Sequence, residues 1–150
     1  MPPVSGNSIT AMGWSLANGQ RDQFSSHKGK VLVLDFYATW CGPCKDSVPH
    51  LIELQNKFGP QGLTVVGLNV GGPEDLDQVP AFARRFAIQY PLGVPDDELV
   101  TLLLAQSDAI PQTFVFDRQG QLVERFIGFG PNTGDRITKA VEAALQTSVD

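Results

Sequence analysis

The stretch VLVLDFYATWCGPCK, residues 31–45, determines how the rest of the chain can be interpreted. Apart from Asp35, its first seven residues are aliphatic or aromatic, which predicts a buried strand, and a helical pattern opens after the cysteines. Cys41 and Cys44, the only cysteines among the 150 residues, therefore lie where a strand leads into a helix. Free backbone N–H groups and the positive helix dipole at that place favour a thiolate over a thiol. The position suits a dithiol that cycles to a disulfide.

Composition limits the classes of protein that the chain can belong to. A length of 150 residues with 42% hydrophobic and 18% charged residues predicts one globular domain, residues 1–150. Residues 1–12 are rich in Pro, Ser, Gly and Thr and are expected to form a loose lead-in. The net charge of −5 gives no electrostatic reason to bind nucleic acid or an anionic membrane surface. No apolar run approaches the roughly 18 residues of a membrane span, so a membrane contact is expected only through an anchor that is not visible in this sequence.

The remaining segments alternate between strand and helix patterns. Asn18-Gly19 is a tight-turn dipeptide between two short extended segments, which predicts an N-terminal β-hairpin. Pro80 is expected to open or bend a helix, and Asp96 or Asp97 to cap a short one. Further strands are predicted at 63–70, 113–116 and 122–127, and helices at 48–58, 76–86 and 137–145. This order argues for a three-layer α/β domain.

The Cys-x-x-Cys spacing has several interpretations, which the neighbouring residues separate. A zinc ribbon needs four ligands, and the sequence has neither a second Cys-x-x-Cys nor a His-x-x-x-His. Covalent haem attachment requires a histidine after the second cysteine, where Lys45 stands. A purely structural disulfide stays open, although so small a loop adds little stability. Redox chemistry is the favoured interpretation.

With its preceding strand, the segment Trp40–Lys45 resembles the active-site segment of the thioredoxin superfamily. Pro49, the segment Ile110–Thr113 and Gly128 fall where that superfamily has its helix-kinking proline, its cis-proline loop and a late glycine. The predicted hairpin and roughly 25 extra residues around 71–95 make the chain similar to the TlpA/ResA-like branch. The resemblance implies a thioredoxin fold, three-layer α/β/α around a central mixed sheet, with an N-terminal hairpin extension and an α/β insertion at about 71–95.

The resemblance also implies a role for each cysteine. Cys41 would be the exposed attacking thiol and Cys44 the resolving one, in agreement with the greater shielding expected one turn into the helix. Pro43 restrains the turn and helps to set how reducing the pair is, although it is also simply a good first-turn residue. Gly42-Pro43 between the cysteines resembles the reducing type, which favours disulfide reduction as the direction of the reaction.

Asp35 is the most informative single residue of the predicted strand. A carboxylate in an apolar strand costs several kcal/mol unless it is paired or protonated. By resemblance it matches the buried aspartate beneath the resolving cysteine, where it would act as the general base for Cys44, probably through water, with a pKa raised by burial. The alternative is an edge position at which Asp35 faces solvent.

The sequence departs from the pattern of the related families at two positions. Gly67 stands where thioredoxins often have a lysine near the aspartate, and Ser47 stands where ResA-like proteins have an acidic residue.

A substrate surface is implied around the dithiol. By resemblance, Pro111 carries a cis peptide bond after Ile110, and the backbone of Ile110 pairs with an extended substrate strand. The alternative is an ordinary turn proline before a strand. Trp40 is the aromatic residue expected at the surface, whereas Phe36 and Tyr37 are more typical of a core. The expected substrate-binding residues are Trp40, Gly42, Pro43, Ile110 and Pro111.

These features together predict a thiol–disulfide oxidoreductase that reduces protein disulfides. It would use the redox-active pair Cys41–Cys44 with no bound cofactor and no metal, and an upstream thiol reductase would resupply electrons. A peroxide-reducing redoxin is the first alternative, although the sequence lacks the proline that peroxiredoxins carry upstream of their cysteine. A copper or metal carrier is the second. The resemblance places the protein outside the cytoplasm, but no export signal is visible and the cytoplasm stays open as an alternative.

Overall fold

The computed structural model describes residues 9–147 and shows seven strands and four α-helices within them. The helices are α1 (Gly42–Phe58), α2 (Val79–Phe86), α3 (Asp97–Leu103) and α4 (Thr133–Leu145). Over residues 9–147, no helix is long and apolar enough to cross a membrane. The strands are β1 (Gly13–Leu16), β2 (Arg21–Gln23), β3 (Val31–Tyr37), β4 (Leu63–Asn69), β5 (Leu92–Pro95), β6 (Gln112–Phe116) and β7 (Leu122–Ile127).

A single mixed sheet joins the strands in the order β2-β1-β5-β4-β3-β6-β7. β3 lies near its centre, parallel to β4 and antiparallel to β6, and all seven β3 residues are buried. Leu32, Leu34 and Phe36 pack in one cluster with residues of α3, whereas Val31 and Val33 pack in another with residues of α1 and α4. Both faces of the strand are covered, which explains its continuous apolar sequence and confirms the predicted three layers.

The N-terminal hairpin and the segment 71–95 form one structural unit with the main sheet. β1 pairs with β2 as the Asn18-Gly19 turn predicted, and its other edge pairs antiparallel with β5. β5 in turn runs parallel to β4. Pro80 lies in the first turn of α2, so it opens that helix instead of bending it. The sequence predicted the hairpin and the α/β insertion, but not that they pair with each other.

Two expectations, one for the N-terminal end and one for the start of α3, were only partly correct. Residues 1–8 of the predicted lead-in lie outside the described residues, but Ile9 is fully buried in the core and Met12 accepts a backbone hydrogen bond from Phe24. The segment 9–12 is therefore packed. Asp96 occupies the cap position of α3, yet its carboxylate accepts from the Gly13 N–H at 2.8 Å and pairs with Arg21. A charged partner on the hairpin competes successfully with the helix for this side chain.

Candidate active site

Cys41 is the N-cap residue of α1 and forms a disulfide with Cys44, with their Cα atoms 5.2 Å apart. The Cys44 backbone N–H donates to the Cys41 sulfur at 3.2 Å, so the first sulfur accepts one of the free helix-start N–H groups. Gly42 and Pro43 complete the first turn, where proline removes no helical hydrogen bond. The dithiol therefore occupies the strand–turn–helix junction that the sequence predicted.

The two cysteine residues differ in their access to solvent. Cys44 is fully buried, whereas Cys41 retains 6% of its surface. Both belong to an apolar cluster with Tyr37, Val48 and Phe82. Cys41 is the more exposed of the two, in agreement with the roles that the resemblance implied. It is nevertheless more buried than the exposed attacking thiol that was expected. One reason is that the Ile110 carbonyl oxygen lies 3.8 Å from its sulfur.

The loop that crowds Cys41 contains the cis peptide bond between Ile110 and Pro111, which confirms the expected geometry. The Gln112 side-chain amide donates to the carbonyls of Ser107 and Ala109, at 3.0 and 2.9 Å, and so holds the loop on its inner side. Ile110 is half-buried and Pro111 is buried. The Gln112 side chain therefore holds the loop in place, and the backbone carbonyl of Ile110 faces the Cys41–Cys44 pair.

The other expected substrate residues lie on the surface of the same junction. Trp40 directly precedes the dithiol and exposes 64% of its surface, the largest fraction among the large hydrophobic side chains described. Gly42 and Pro43 are also exposed, whereas Phe36 and Tyr37 are buried in the core. An exposed indole beside a reactive sulfur is an apolar contact that a bound polypeptide could cover.

Asp35 is buried, with 1% of its surface exposed, which excludes the solvent-facing interpretation. By strand alternation it shares the face of Val33 and Tyr37, which is the face that α1 covers. Its one described hydrogen bond comes from the Thr113 hydroxyl, at 3.1 Å. Burial raises the pKa of Asp35 to about 7, and the bond from Thr113 offsets only part of that effect. The carboxyl group can therefore change its protonation state near neutral pH.

Gly67 is the direct cross-strand neighbour of Asp35 on β4. A Cβ atom at Gly67 would lie 2.7 Å from the Leu92 side chain, 3.3 Å from the Tyr90 ring and 3.5 Å from the Tyr37 ring. These groups fill the space that a lysine side chain would need. Burial raises the pKa of Tyr37 to about 12 and also raises that of Tyr90, so both rings stay neutral at physiological pH. The β4 side of Asp35 is therefore uncharged.

Asp75 is a candidate site residue that sequence reasoning missed. It lies in the segment 71–95, and its carboxylate accepts from the Thr39 N–H at 2.9 Å, from the Thr39 hydroxyl, and from the Asn69 amide at 2.8 Å. Burial raises its pKa, but these hydrogen bonds outweigh that effect and lower the pKa overall. Asp75 thus anchors the turn two residues before Cys41. Three acids, Glu74, Asp75 and Asp77, follow Gly71-Gly72-Pro73, and nothing in the sequence singles out Asp75 for this role.

Thr113 and Ser47 were also not assigned roles from the sequence. Thr113 could have been found only from the β3–β6 register, which pairs it with Asp35. Ser47, at the position where the related branch has an acid, is buried and donates its hydroxyl to the Cys44 carbonyl at 2.8 Å. Within residues 9–147 no group of three or more His, Cys, Asp or Glu side chains could hold a metal ion.

This sheet, with a dithiol at the start of α1, defines a thioredoxin-like protein. A solved thiol:disulfide interchange protein of the thioredoxin family, from Chlorobium tepidum TLS, superposes with a TM-score of 0.78 at 27% identity. The superposition covers 97% of this chain and 98% of that one. The sequence matches the AhpC/TSA family over residues 7–125, and the chain belongs to that family. The predicted fold and the redoxin branch of the thioredoxin superfamily are thereby confirmed.

Individual relatives are proteins named thiol-disulfide oxidoreductase ResA. The chain is 31% identical to ResA of Geobacillus kaustophilus over 110 residues and 32% identical to ResA of Bacillus subtilis over 111 residues. These matches take in 73% and 74% of this chain. They span 62% and 60% of the length of the two relatives, so the matched part is about three fifths of each ResA protein.

Proposed function

We propose that the chain is a thiol–disulfide oxidoreductase that reduces protein disulfides through Cys41 and Cys44, with no bound cofactor. The observation that carries the proposal is the asymmetric pair at the start of α1. Cys41 keeps a little exposed surface beside the cis-proline loop, whereas Cys44 is fully buried one turn into the helix. The names of the relatives, which describe thiol–disulfide oxidoreductases, support the same activity.

In the first step the Cys41 thiolate attacks one sulfur of a substrate disulfide. A new S–S bond forms between Cys41 and the substrate, the substrate S–S bond breaks, and one substrate thiolate leaves and takes up a proton. The Cys44 backbone N–H, which contacts the Cys41 sulfur at 3.2 Å in the oxidised pair, is placed to stabilise the attacking thiolate. Helix geometry thus prepares Cys41 for attack.

In the second step Cys44 resolves the mixed disulfide. Asp35 accepts the Cys44 proton through a water molecule, the new thiolate attacks the Cys41 sulfur, and the second substrate thiolate is released. The substrate gains two electrons and the Cys41–Cys44 disulfide re-forms. A pKa of about 7 suits Asp35 to this role, because a base is most effective when its pKa lies near the working pH.

The substrate would bind as an extended strand across the dithiol. Its backbone would pair with Ile110 beside Pro111, and its side chains would contact Trp40 and the Gly42-Pro43 turn. Half-buried, apolar Ile110 imposes no charge requirement, which favours a broad range of protein disulfides. An upstream thiol reductase would return two electrons to the oxidised pair. By resemblance to the TlpA/ResA-like branch, we place this reaction outside the cytoplasm.

Trapping of the mixed disulfide tests the assignment of the two cysteines. The reduced C44S protein, mixed with an excess of a disulfide-containing protein such as insulin, should accumulate a covalent complex that dithiothreitol reverses. The matched C41S protein should form no such complex, because its remaining thiol is fully buried. Equal trapping by both variants would contradict the proposed roles of Cys41 and Cys44.

The reduction potential tests the direction of the reaction. Equilibration of the wild-type pair against a glutathione series should give a potential of about −270 mV, as for thioredoxin-type reductants. A value of about −120 mV would identify an oxidant instead.

Consumption of hydrogen peroxide, measured with and without added dithiol, separates the proposed activity from that of a peroxide-reducing redoxin. A peroxide-reducing redoxin would show rapid peroxide turnover that depends on the dithiol.

The D35N variant tests the base. In the wild type the rate of resolution should rise as the pH passes about 7, because Asp35 must be ionised to accept a proton. D35N should lose this rise and resolve the mixed disulfide about 100-fold more slowly at pH 8. An unchanged pH dependence of disulfide reduction in D35N would exclude Asp35 as the base.

A further inference from the structure

Gln112, the first residue of β6, is fully buried and leaves one half of its side-chain amide unsatisfied. Its Nε2 group donates to the carbonyls of Ser107 and Ala109. Because two acceptors lie on that side, the amide oxygen points the other way. This oxygen is buried and has no hydrogen-bond partner among residues 9–147. Such an atom destabilises a fold, and proteins retain conflicts of this kind mainly at functional sites.

The two hydrogen bonds of Gln112 act on the loop between α3 and β6, next to the dithiol. The acceptors are the carbonyls of Ser107 and Ala109, at 3.0 and 2.9 Å from Nε2. Ile110 directly follows Ala109, and its own carbonyl oxygen lies 3.8 Å from the Cys41 sulfur. Gln112 therefore fixes the loop immediately beside the backbone that meets the reactive cysteine.

A second contact holds the same loop from outside. The Arg125 guanidinium donates to the side-chain oxygen of Gln106 at 3.1 Å, and this bond is exposed, so water can replace either partner. The carbonyls that face Gln112 differ, because without its N–H groups they would have to turn towards water to find a donor. Loss of the inner contact should therefore free the loop, whereas loss of the outer contact should not.

We propose that Gln112 is a positioning residue for dithiol exchange: it holds the Ile110 backbone where a substrate strand can pair with it, and so favours polypeptide disulfides over small ones. This inference rests on the proposed function of Cys41 and Cys44 and adds the substrate class. If the loop is free, a polypeptide must order it on binding, which costs backbone entropy. A disulfide without peptide groups forms no strand hydrogen bonds and should be indifferent to Gln112.

Two disulfides of different size test this preference in single-turnover oxidation of the reduced protein at pH 8. One is the disulfide-linked dimer of acetyl-Ala-Val-Cys-Val-Ala-amide, and the other is bis(2-hydroxyethyl) disulfide. Q112M keeps the length of the side chain but has no donor. It should lower the ratio of the peptide rate constant to the small-disulfide rate constant about tenfold, as expected when about one more backbone residue is ordered on binding. A change in the nucleophilicity of Cys41 would affect both rate constants, so the ratio isolates the pairing.

A modified substrate and a stability measurement separate positioning from a purely structural role. The same peptide N-methylated at its cysteine and both valines lacks the N–H donors for strand pairing. N-methylation should slow the wild-type reaction and have little further effect in Q112M, since both changes remove one interaction. The urea midpoint of Q112M should stay close to that of the wild type, because removal of the unpaired oxygen offsets the loss of the two hydrogen bonds.

Matched variants test the assignment to Gln112. Q106M makes the same change at an exposed position of the loop and should keep the wild-type ratio within about twofold. Q112N retains the amide but is too short to reach both carbonyls, so it should lower the ratio too and gives an independent answer if Q112M does not fold.

The inference is overturned if Q112M and Q112N keep the wild-type ratio, if Q106M lowers the ratio as much as Q112M, or if N-methylation slows Q112M as much as the wild type. Failure of the proposed dithiol exchange would be seen separately, because neither disulfide would then oxidise the reduced wild-type protein.

Discussion

Asp35 and Asp75 are two buried carboxyl groups near the same dithiol, and their pKa values move in opposite directions. Both side chains expose little surface, 1% and 6%, but Asp35 lies deep in the sheet whereas Asp75 lies closer to the protein surface, so burial opposes the charged form of Asp35 more strongly. Burial raises the pKa of Asp35 to about 7. Burial acts on Asp75 too, but hydrogen bonds from Thr39 and Asn69 lower its pKa below the usual range.

The depth of burial and the number of hydrogen-bond donors together separate the two sites. Asp35 receives one described bond, from the neutral Thr113 hydroxyl, and faces Gly67 and apolar groups on its other side. Asp75 receives three bonds, two of them from Thr39. The ionised form of Asp75 is thereby stabilised, whereas that of Asp35 is not. Two carboxyl groups whose environments separate their pKa values are suited to different tasks, here proton transfer and anchoring of the active-site turn.

Replacement of Asp35 should give the largest change in stability. The native state holds a proton on Asp35 from its unfolded pKa near 4 up to about 7, so wild-type stability should fall as the pH rises through that window. A shift of roughly three pKa units corresponds to ~4 kcal/mol. D35N has no such proton. Its free energy of unfolding in urea, relative to wild type, should therefore increase by ~4 kcal/mol between pH 4 and pH 8.

The exposed α1 residue Asp46 provides the control for this measurement. D46N makes the same chemical change at an exposed position, and it should not reproduce the ~4 kcal/mol increase expected for D35N over the same pH range. A constant difference for D35N would show that the Asp35 site does not penalise the charged form.

Replacement of Asp75 should act in the opposite direction. The amide in D75N has one acceptor oxygen instead of two and no charge, so the Thr39 hydroxyl loses its carboxylate acceptor and the other bonds lose their charge assistance. We expect a loss of about 2–3 kcal/mol at pH 7, together with faster hydrogen exchange at the Thr39 amide. In the wild type this stabilisation is present above the unfolded pKa near 4 and is lost as the pH falls through the lowered folded value.

D77N is the matched control, because Asp77 is an exposed acid in the same 3₁₀ segment, Pro73–Gln78. Its free energy of unfolding should change by less than about 0.5 kcal/mol. Similar losses in D75N and D77N would mean that the segment as a whole, and not the bonds to Thr39, is responsible.

The sequence predicted one of these two carboxyl groups and missed the other for a physical reason. Asp35 interrupts an apolar strand, and such a conflict is visible in a local pattern. Asp75 lies in a short polar 3₁₀ segment, and its role arises from contacts with Thr39, 36 residues earlier in the chain. Similarly, the hairpin was predicted from Asn18-Gly19, but its pairing with β5 depends on tertiary contacts that local patterns do not encode.

A methyl group at Gly67 tests whether the apolar side of Asp35 is closely packed. The added Cβ in G67A would lie 2.7 Å from a Leu92 methyl carbon, so we expect a loss of ~2 kcal/mol from overpacking. The double variant G67A/L92A should be more stable than the sum of the two single effects predicts, since the second change removes the clash. Additive effects would contradict close packing at this point. G130A, where the nearest atom is 3.9 Å from the added Cβ, is the control.

Removal of the hydroxyl of Thr113 should give the smallest effect and test the polar side of Asp35. The bond from Thr113 favours the ionised carboxylate, so T113V should raise the pKa of Asp35 above its value of about 7. One net hydrogen bond of ~1 kcal/mol corresponds to somewhat less than one pH unit. The pH midpoint for resolution of the mixed disulfide should shift upwards by that amount, whereas T101V, at an exposed position of α3, should leave it in place. A downward shift would mean that the Thr113 hydroxyl oxygen accepts a hydrogen bond from the protonated acid, and Asp35 would then be held neutral by Thr113 as well as by burial.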